Sequence, residues 1–372
     1  MDVVHVTRDF PPRINGGLST AVGGLVRALA DIGVAQRVVS FDAWRPRRRS
    51  PSIPAHGAPP RTDTAFGVAV LRVTGPAHLA PARAFCGRPD VIHVHDGMLD
   101  DFAAELSAPS VFSVHVAQAM MRRLRGGGEP TLSELAQAKA MGRASVVVLP
   151  SPGVRDALPT LAPGRPIVLP LGLHDHPDAR AATETPRVAP VVLYAGRFAD
   201  VKGTSDLIEI IEATWRRRPT ARFVVAGGLV DNRKAERRWR RRFDDQLSAG
   251  ARGATELVGW LSPEALSAAL ARTRVMVVPS RYETFGLSAA EAMLHGVPVV
   301  ATDNPGTRAV LPPDAPPMGL AEIAEALATL LEDGALAAAR GTAAARYARD
   351  HHLWPRHIAG YRAAYAQAAA AR

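Results

Sequence analysis

The sequence predicts an α/β fold with two Rossmann-like domains, each built around a parallel β-sheet. Short apolar runs alternate with amphipathic stretches along the 372 residues, which is the order expected of successive βαβ units. The alternation restarts after a Pro-, Ala- and Thr-rich stretch at 177–190, which we interpret as a linker. The chain is also long for a single hydrophobic core.

The predicted elements follow this alternation. In the first half, a helix from Ser19 to Gly33 lies between the first two strands, and the predicted strands are VVHV, RVVSF, DVIHVH, SVFSVH and SVVVLP. In the second half, the predicted strands are VVLYAG, RFVVAGG, TELVGW, VMVVPS and VPVVAT. The segment LWPRHIAGYRAAYAQ has its large residues at helical spacing. We therefore expect one domain at 1–172, with a C-terminal helix at 353–372 packing back on it, a second at 173–352, and a ligand in the cleft between them.

Composition narrows the class of protein. No run of about 18 apolar residues occurs, so we expect no membrane-spanning helix. The N-terminus carries Asp2 and alternates like a strand, unlike a secretory signal, so we expect a cytoplasmic protein with at most peripheral membrane contact. The one cysteine, Cys86, excludes an internal disulfide and a cysteine-rich zinc site.

The net charge of +10 fits nucleic acid, anionic lipid or phosphorylated ligands. Few aromatic residues and no recognised motif argue against nucleic acid. One basic stretch, Arg45 with 47–49, is typical of a solvated loop. The other, RKAERRWRRRFDD, places Trp239 and Phe243 on one helical face. It is either an ordinary exposed helix or a basic helix on an anionic membrane.

The most informative segment is RYETFGLSAAEAMLHGVPVVAT, residues 281–302. It follows a predicted strand and opens a helix at about Leu287, so it lies at the ligand-binding edge of an open α/β sheet. We expect a phosphate site at the helix N-terminus, made by the backbone amides of Phe285, Gly286, Leu287 and Ser288. Glu283 and Glu291 flank it, and carboxylates there are suited to accept hydrogen bonds from sugar and ribose hydroxyls.

Two glycine-containing turns follow other strands. In YAGRFADVKG, Arg197 and Lys202 would place two cations beside the same ligand, where they could stabilise a diphosphate as negative charge develops. Gly16 and Gly17 lie between the first strand and its helix and allow a substrate to approach closely. The dinucleotide fingerprint G-x-G-x-x-G is absent there, which argues against a dehydrogenase.

Histidines end two neighbouring strands of the first half. His115 ends VFSVH and could hydrogen-bond a sugar hydroxyl, or it could be a satisfied core histidine. His93 and His95, followed by Asp96, end DVIHVH, and their spacing places both rings on one face of the strand. We expect His95 and Asp96 to line the acceptor side rather than bind metal. We also expect no metal at 174–176, and no D-x-D motif occurs in the sequence.

These motifs resemble those of the retaining glycosyltransferase family 4, also called glycosyl transferases group 1, whose members have the GT-B fold of two facing Rossmann-like domains. The matching features are Gly16-Gly17, the strand-ending His115, G-R-x4-K-G at 196–203 and E-x-F-G-L-x3-E-A-M-x2-G at 283–296. The last two together are highly specific. The chain departs from many relatives at Thr284, where they carry proline, and at Val116 and Ala117, where they carry an aspartate.

The resemblance implies a role for each matching residue. Glu283 would contact the sugar hydroxyls, Glu291 the ribose, and His115 the sugar near its reacting carbon. Arg197 and Lys202 would hold the diphosphate, while Gly259 and Trp260 stand where relatives hold the nucleobase. It also implies a metal-independent hexosyltransferase without cofactor, in which attack from the front face retains the anomeric configuration and the leaving phosphate helps to deprotonate the acceptor.

The predicted activity is transfer of a hexose or amino sugar from a nucleotide diphosphate sugar, taken to be a UDP-sugar. The acids Asp96, Asp100, Asp101 and Glu105 suggest a small-molecule acceptor such as a cationic aminocyclitol, or they form an exposed helix start. The basic helix at Trp239 would suit a lipid-linked or cell-envelope acceptor. A nucleotide-sugar isomerase and a non-catalytic nucleotide-sugar binding protein are the remaining alternatives, and the oligomeric state stays open.

Overall fold

The computed structural model describes residues 1–14, 16–42, 60–158, 166–184, 187–228 and 232–371. The chain forms two compact units, one of Met1–Gly172 with Trp354–Arg372 and one of Leu173–Leu353, which we call unit 1 and unit 2. The basic segment at Arg45 and 47–49 lies outside the described residues.

The strands are β1 (Asp2–Thr7), β2 (Ala35–Ser40), β3 (Arg61–Ala65), β4 (Val68–Arg72), β5 (Val91–Val94), β6 (Ser110–Ser113), β7 (Val146–Leu149), β8 (Ile167–Val168), β9 (Val191–Ala195), β10 (Arg222–Ala226), β11 (Thr255–Gly259), β12 (Val275–Val278) and β13 (Val299–Ala301).

The helices are α1 (Gly17–Asp31), α2 (Leu79–Cys86), α3 (Asp100–Ala104), α4 (Gln118–Arg123), α5 (Leu132–Arg143), α6 (Pro152–Ala157), α7 (Pro177–Glu184), α8 (Thr204–Arg217), α9 (Arg233–Gln246), α10 (Ala249–Gly253), α11 (Pro263–Arg272), α12 (Leu287–Leu294), α13 (Pro305–Val310), α14 (Leu320–Glu332), α15 (Gly334–His351) and α16 (Trp354–Ala370). Short 3₁₀ turns occur at Pro76–His78, Gly97–Leu99 and Asp200–Lys202.

Each unit contains one sheet. In unit 1 the strand order is β3-β4-β2-β1-β5-β6-β7-β8, and in unit 2 it is β11-β10-β9-β12-β13. All described pairs are parallel except β3 with β4, which form an antiparallel hairpin at one edge. The predicted α/β fold with parallel sheets is confirmed, whereas the antiparallel edge was not anticipated.

The C-terminal helix α16 belongs to unit 1. Its large side chains at helical spacing are buried: Trp354, Ile358, Tyr361 and Tyr365. Gly24 in α1 allows close packing, because a Cβ there would lie 2.8 Å from Nε1 of Trp354. The chain thus returns to unit 1 after completing unit 2.

One prediction about local structure was wrong, and the two alternatives left open for the basic helix are decided in favour of an ordinary surface helix. The stretch at 177–190 was expected to be a linker, but its first part forms the helix α7 (Pro177–Glu184). The basic helix forms at α9, but Trp239 and Phe243 are buried in the core of unit 2. The Phe243 ring lies 5.8 Å from the ring of Phe198, so this aromatic face cannot rest on a membrane while the core is intact.

Two further properties bear on function. Among the described helices, none has both the length and the apolar character needed to cross a bilayer. Cys86 is buried, and desolvation raises the pKa of its thiol to about 12. Its thiolate is therefore scarce at neutral pH, which is unsuitable for a nucleophile.

Candidate functional site

The candidate donor site of unit 2 lies at the carboxyl ends of the neighbouring strands β9 and β12. The loops after these strands are hydrogen-bonded to each other, since the Arg281 amide donates to the Val201 carbonyl (3.0 Å). Gly203 makes this approach possible. Its φ is +66°, and a Cβ there would lie 1.9 Å from the Pro279 carbonyl oxygen, so a larger residue would push the loops apart.

The joined loops bring together Lys202 and Glu283, which are 81 residues apart in sequence. The Lys202 ammonium donates to both carboxylate oxygens, at 2.7 Å each. Ser280 Oγ donates to the Glu283 Oε1 atom at 2.8 Å. Glu283 is 9 % exposed, and these charge-assisted bonds stabilise its carboxylate in that environment.

Asn304 fixes the backbone beside Glu283 and was missed by the sequence analysis. Its side-chain oxygen accepts from the amides of Glu283 (3.2 Å), Gly306 (3.1 Å) and Thr307 (3.2 Å). Its side-chain nitrogen donates to the Ser280 carbonyl at 2.9 Å. The sequence signal is the Asn304-Pro305 pair, which is typical of an N-cap followed by proline at the first helical position.

The start of α13 packs directly on Glu283. A Cβ at Gly306 would lie 2.4 Å from the Glu283 Cβ and 2.8 Å from its carbonyl oxygen. Because backbone atoms cannot yield as a flexible side chain does, residue 306 has to be glycine for Glu283 to keep this position.

The helix α12 begins at Leu287, as predicted, after Gly286 with φ 93° and ψ 46°. The first turn of a helix presents amides without intrahelical acceptors and the positive end of its dipole, so the amides at Leu287 and Ser288 suit an anion. The Phe285 side chain is buried and packs edge-on against His352 at 5.9 Å. Phe285 therefore offers only its backbone to a ligand.

Glu291 lies within α12 and is partly buried. Desolvation raises the pKa of its carboxyl to about 7. A ligand that donates hydrogen bonds to the ionised form would lower this pKa.

The other predicted donor residues of unit 2 lie at the same edge of its sheet. Arg197 is exposed and follows β9, and its carbonyl accepts from the Tyr194 hydroxyl at 3.1 Å. Gly259 ends β11 with φ +76°, and its carbonyl accepts from the Gly227 amide at 2.7 Å. Trp260 follows and is 37 % exposed. Their roles stay predictions.

In unit 1, the predicted glycines lie at the start of α1. Gly16 is the N-cap with φ 151°, a conformation that favours glycine, and its carbonyl accepts from Ser19 Oγ at 3.2 Å. Gly17 is the first helical residue and is exposed. The backbone at this turn is thus accessible, as close approach of a ligand requires.

His115 is partly buried at the end of a hydrogen-bonded row of side chains. Its Nε2 lies 3.0 Å from the His95 Nδ1, and the His95 Nε2 lies 3.1 Å from the His5 Nδ1. The His5 Nε2 lies 3.1 Å from the Gln36 Oε1. The sequence analysis missed His5 and Gln36, although pairing of VVHV with DVIHVH would have set His5 beside His93, as observed.

His93 in β5 and His95, which directly follows this strand, do lie side by side, with ring centroids 3.9 Å apart. His95 is 3 % exposed and His5 takes one of its nitrogens, so we correct the prediction that His95 contacts an acceptor. It supports His115 instead.

The predicted acceptor acids are held in ion pairs. Asp100 is 5 % exposed and accepts from Arg143 at 2.9 Å, while Asp101 pairs with Lys139. Asp96 accepts from the Met98 amide at 3.0 Å and lies 3.3 Å from Arg8. Asp100 is therefore a structural residue rather than an acceptor ligand, since its carboxylate is buried and a cationic acceptor would have to displace its arginine partner.

The fold and these motifs define the class of protein. Residues 175–347 match the family described as glycosyl transferases group 1, and residues 16–172 match the glycosyl transferase 4-like domain. The chain belongs to the group 1, family 4-like glycosyltransferases and has the GT-B fold. It is a glycosyltransferase that uses a nucleotide-sugar donor.

Individual relatives differ in the reactions that their names describe. A glycogen synthase from Mycobacterium tuberculosis is 28 % identical over 95 % of this chain and 92 % of its own length. An α-D-kanosaminyltransferase from Streptomyces kanamyceticus is 32 % identical, over 39 % of this chain and 37 % of its own length. The solved structure of a sucrose-phosphate synthase from Thermosynechococcus elongatus covers 100 % of both chains with a TM-score of 0.80 at 21 % identity.

Proposed function

We propose that the chain is a retaining hexosyltransferase that moves a hexose or amino sugar from a UDP-sugar to a hydroxyl of a small-molecule acceptor, without a metal ion. The observation that carries this proposal is the contact between Lys202 and Glu283, which sets a cation and a hydroxyl-binding carboxylate side by side next to the N-terminus of α12.

The protein groups can supply the positive charge that a diphosphate needs. Lys202 is a compact cation, Arg197 offers a planar fork for phosphate oxygens, and α12 adds its first-turn amides. As the bond from the anomeric carbon to the phosphate breaks, negative charge develops on the diphosphate, and preorganised donors stabilise it. This arrangement makes a metal-free mechanism feasible.

The carboxylates are suited to the neutral parts of the donor. We assign Glu283 to hydroxyls of the sugar and Glu291 to hydroxyls of the ribose. Asn304 and Gly306 act as positioning residues for Glu283, because they fix its backbone. Specificity for the donor sugar follows, since a donor without the matching hydroxyls would leave a largely buried carboxylate short of hydrogen bonds.

In the proposed reaction the bond from the anomeric carbon to the diphosphate breaks and a bond to the acceptor oxygen forms on the same face. The acceptor proton passes to the leaving phosphate oxygen, so the nucleoside diphosphate carries it away. Same-face attack keeps the anomeric configuration.

The assay that tests this proposal follows turnover of a panel of nucleotide sugars with small hydroxylated acceptors, including an aminocyclitol, in the presence of EDTA. We expect product of unchanged anomeric configuration by NMR. Lys202→Ala and Glu283→Gln should each lower kcat/KM about 100-fold or more, whereas the exposed Lys234→Ala should not. Inverted product or a strict metal requirement would refute the mechanism, and an isomerised sugar nucleotide would show an isomerase.

A lipid-linked acceptor is a second candidate, favoured by the charge on α9. With its aromatic face in the core, the helix exposes charged and polar groups. They include the cations Arg233, Lys234, Arg237, Arg238 and Arg241 and, near its C-terminus, the acids Asp244 and Asp245. Each cation near an anionic bilayer contributes about 1 kcal/mol. Sedimentation with phosphatidylglycerol vesicles tests it: salt-sensitive binding that is lost in Arg237→Glu/Arg241→Glu supports this candidate, and no binding at low salt excludes it.

A further inference from the structure

The turn that carries Arg197 is fastened by the side chain of Tyr194. Tyr194 lies in β9 and is 3 % exposed, with its ring in the core of unit 2. Its hydroxyl donates to the Arg197 carbonyl at 3.1 Å. Burial raises the pKa of this hydroxyl, so it keeps its hydrogen for that bond at neutral pH. A phenylalanine would fill the same core space without the cost of burying a hydroxyl. The hydroxyl therefore serves the Arg197 turn rather than the packing of the core.

The peptide group between Arg197 and Phe198 is held at both of its polar atoms. Tyr194 donates to its carbonyl, and its amide, that of Phe198, donates to the Gly228 carbonyl at 3.3 Å. The Phe198 side chain is buried in the core and packs against Phe243. Because a peptide group is planar, holding it at both atoms restricts the direction in which the Arg197 side chain leaves the backbone.

Gly196 leaves room for the Tyr194 hydroxyl. A Cβ at Gly196 would lie 2.9 Å from that oxygen, so a larger residue would push the hydroxyl away from the Arg197 carbonyl. The Gly196 amide donates to the Ala226 carbonyl at 3.0 Å, which ties the start of the turn to β10. The glycine and the tyrosine thus form a single fastening for the turn.

A different hydroxyl supports the Lys202 end of the turn. Thr204 Oγ1 accepts from the Ala199 amide at 2.9 Å and donates to the Ala199 carbonyl at 3.1 Å. The same carbonyl accepts from the Lys202 amide at 2.9 Å. Loss of the Tyr194 hydroxyl should therefore disturb Arg197 and leave the backbone of Lys202 in place.

We infer that Tyr194 is a positioning residue for diphosphate binding, because its hydroxyl, through the Arg197 carbonyl, orients the Arg197 guanidinium towards the diphosphate of the donor. The inference rests on the proposed function, which assigns Arg197 to the diphosphate. It concerns unit 2 alone, since Tyr194, Arg197, Lys202 and the start of α12 all belong to that unit.

Preorganisation sets the size of the expected effect. An arginine that is already oriented loses less conformational freedom on binding than one that the ligand has to order. Ordering one long side chain corresponds to about three- to tenfold in affinity.

Tyr194→Phe removes the hydroxyl and keeps the ring. Isothermal titration calorimetry of the full-length protein in EDTA measures its affinity for UDP, or for GDP, TDP or ADP if the wild type binds one of these instead. We expect the affinity to fall about fivefold. Tyr361→Phe is the matched control: Tyr361 is also buried and donates to a backbone carbonyl, that of Leu169 at 3.3 Å, but in unit 1. Its affinity should stay within about twofold of the wild type.

Double-mutant cycles separate positioning of Arg197 from a general loosening of unit 2. In an Arg197→Ala background, Tyr194→Phe should change the affinity by less than about twofold, because the side chain that it orients is gone. In a Lys202→Ala background, the loss should remain about fivefold. Gly196→Ala should reproduce this loss and add nothing to Tyr194→Phe. Melting temperatures verify folding, and Gly196→Ala with its own Arg197→Ala cycle supplies the test if Tyr194→Phe does not fold.

Unchanged affinity in folded Tyr194→Phe overturns the inference. So does a loss that persists in the Arg197→Ala background, since the hydroxyl would then act elsewhere, or a loss that disappears in the Lys202→Ala background. If the wild type binds none of the nucleoside diphosphates, the proposed function fails and the inference fails with it. If the wild type binds one and Tyr194→Phe binds it equally well, the inference alone fails, so the two failures are distinguishable.

Discussion

Donor binding should release a proton from Glu291. Desolvation raises the pKa of this carboxyl from 4.5 to about 7, so the carboxyl is mostly protonated at pH 6.5. Ribose hydroxyls that donate to a carboxylate favour its ionised form. A donor held by Glu291 therefore displaces the proton, and its affinity should rise with pH until the carboxyl is ionised in the free protein.

The size of the effect follows from the pKa. At pH 6.5 roughly 0.75 proton should leave per donor bound, and at pH 8 roughly 0.1. The rise of the Glu291 pKa from 4.5 to about 7 means that ionising this carboxyl costs about 3 kcal/mol more in the folded protein than in water. Between pH 4.5 and about 7 the folded chain holds more of this proton than the unfolded chain. The free energy of unfolding should therefore fall as the pH rises through that window and stay reduced above it.

Isothermal titration calorimetry without acceptor, in two buffers of different ionisation enthalpy at each pH, counts the protons. The donor is the nucleotide sugar that gives turnover. Glu291→Gln is the control, since it cannot titrate: its proton release should vanish, and its unfolding free energy at pH 8 should exceed that of the wild type. Equal proton release in wild type and Glu291→Gln at pH 6.5, or proton uptake, would refute the assignment of Glu291 to the ribose.

Three other outcomes are expected. Gly306→Ala should lower kcat/KM at least about tenfold, because its Cβ would displace Glu283. The control Gly253→Ala, where a Cβ meets nothing within 4 Å, should have no effect. Equal kcat/KM values for Gly306→Ala and the wild type would contradict the packing argument. Phe243→Ala should lower the urea-unfolding free energy by about 3–5 kcal/mol, and a change below about 1 kcal/mol would mean that the α9 face is not core. Cys86 should react with a thiol reagent only on unfolding, and fast labelling of the native protein would contradict its burial.

The parts of the site that were predictable from sequence are those that depend on local order. Each of these segments is a strand, then a short turn with a glycine and a charged residue, then a helix. This order determines which residues lie at the carboxyl edge of the sheet. Lys202, Glu283 and the start of α12 were placed in this way. A contact between Lys202 and Glu283 could be expected from this placement. The role of Asn304 could not, because Asn304 is a helix cap 21 residues from Glu283. The sequence showed only that Asn304 is suited to cap a helix.

Other features depend on contacts that no local pattern encodes. The α9 helix has one apolar face whether it lies on a membrane or on a core, and only the packing of Trp239 and Phe243 in the core of unit 2 distinguishes the two. The β3–β4 hairpin is short and polar on one strand, so it resembles a loop in sequence. The histidine row requires the register of β1 against β5 and the orientation of Gln36, because a histidine within an apolar strand gives no sign of its partner.

The return of α16 to unit 1 has a consequence for synthesis of the chain. Unit 2 is continuous in sequence and can fold as soon as its last helix leaves the ribosome, whereas unit 1 is completed only by α16, which is translated after the whole of unit 2. Tyr365 on that segment supplies the hydroxyl that His93 contacts beneath the histidine row. The strands of unit 1 therefore wait for a segment on the far side of unit 2 before their buried polar groups are satisfied, and a chain that stops short of α16 would expose them to chaperones and proteases.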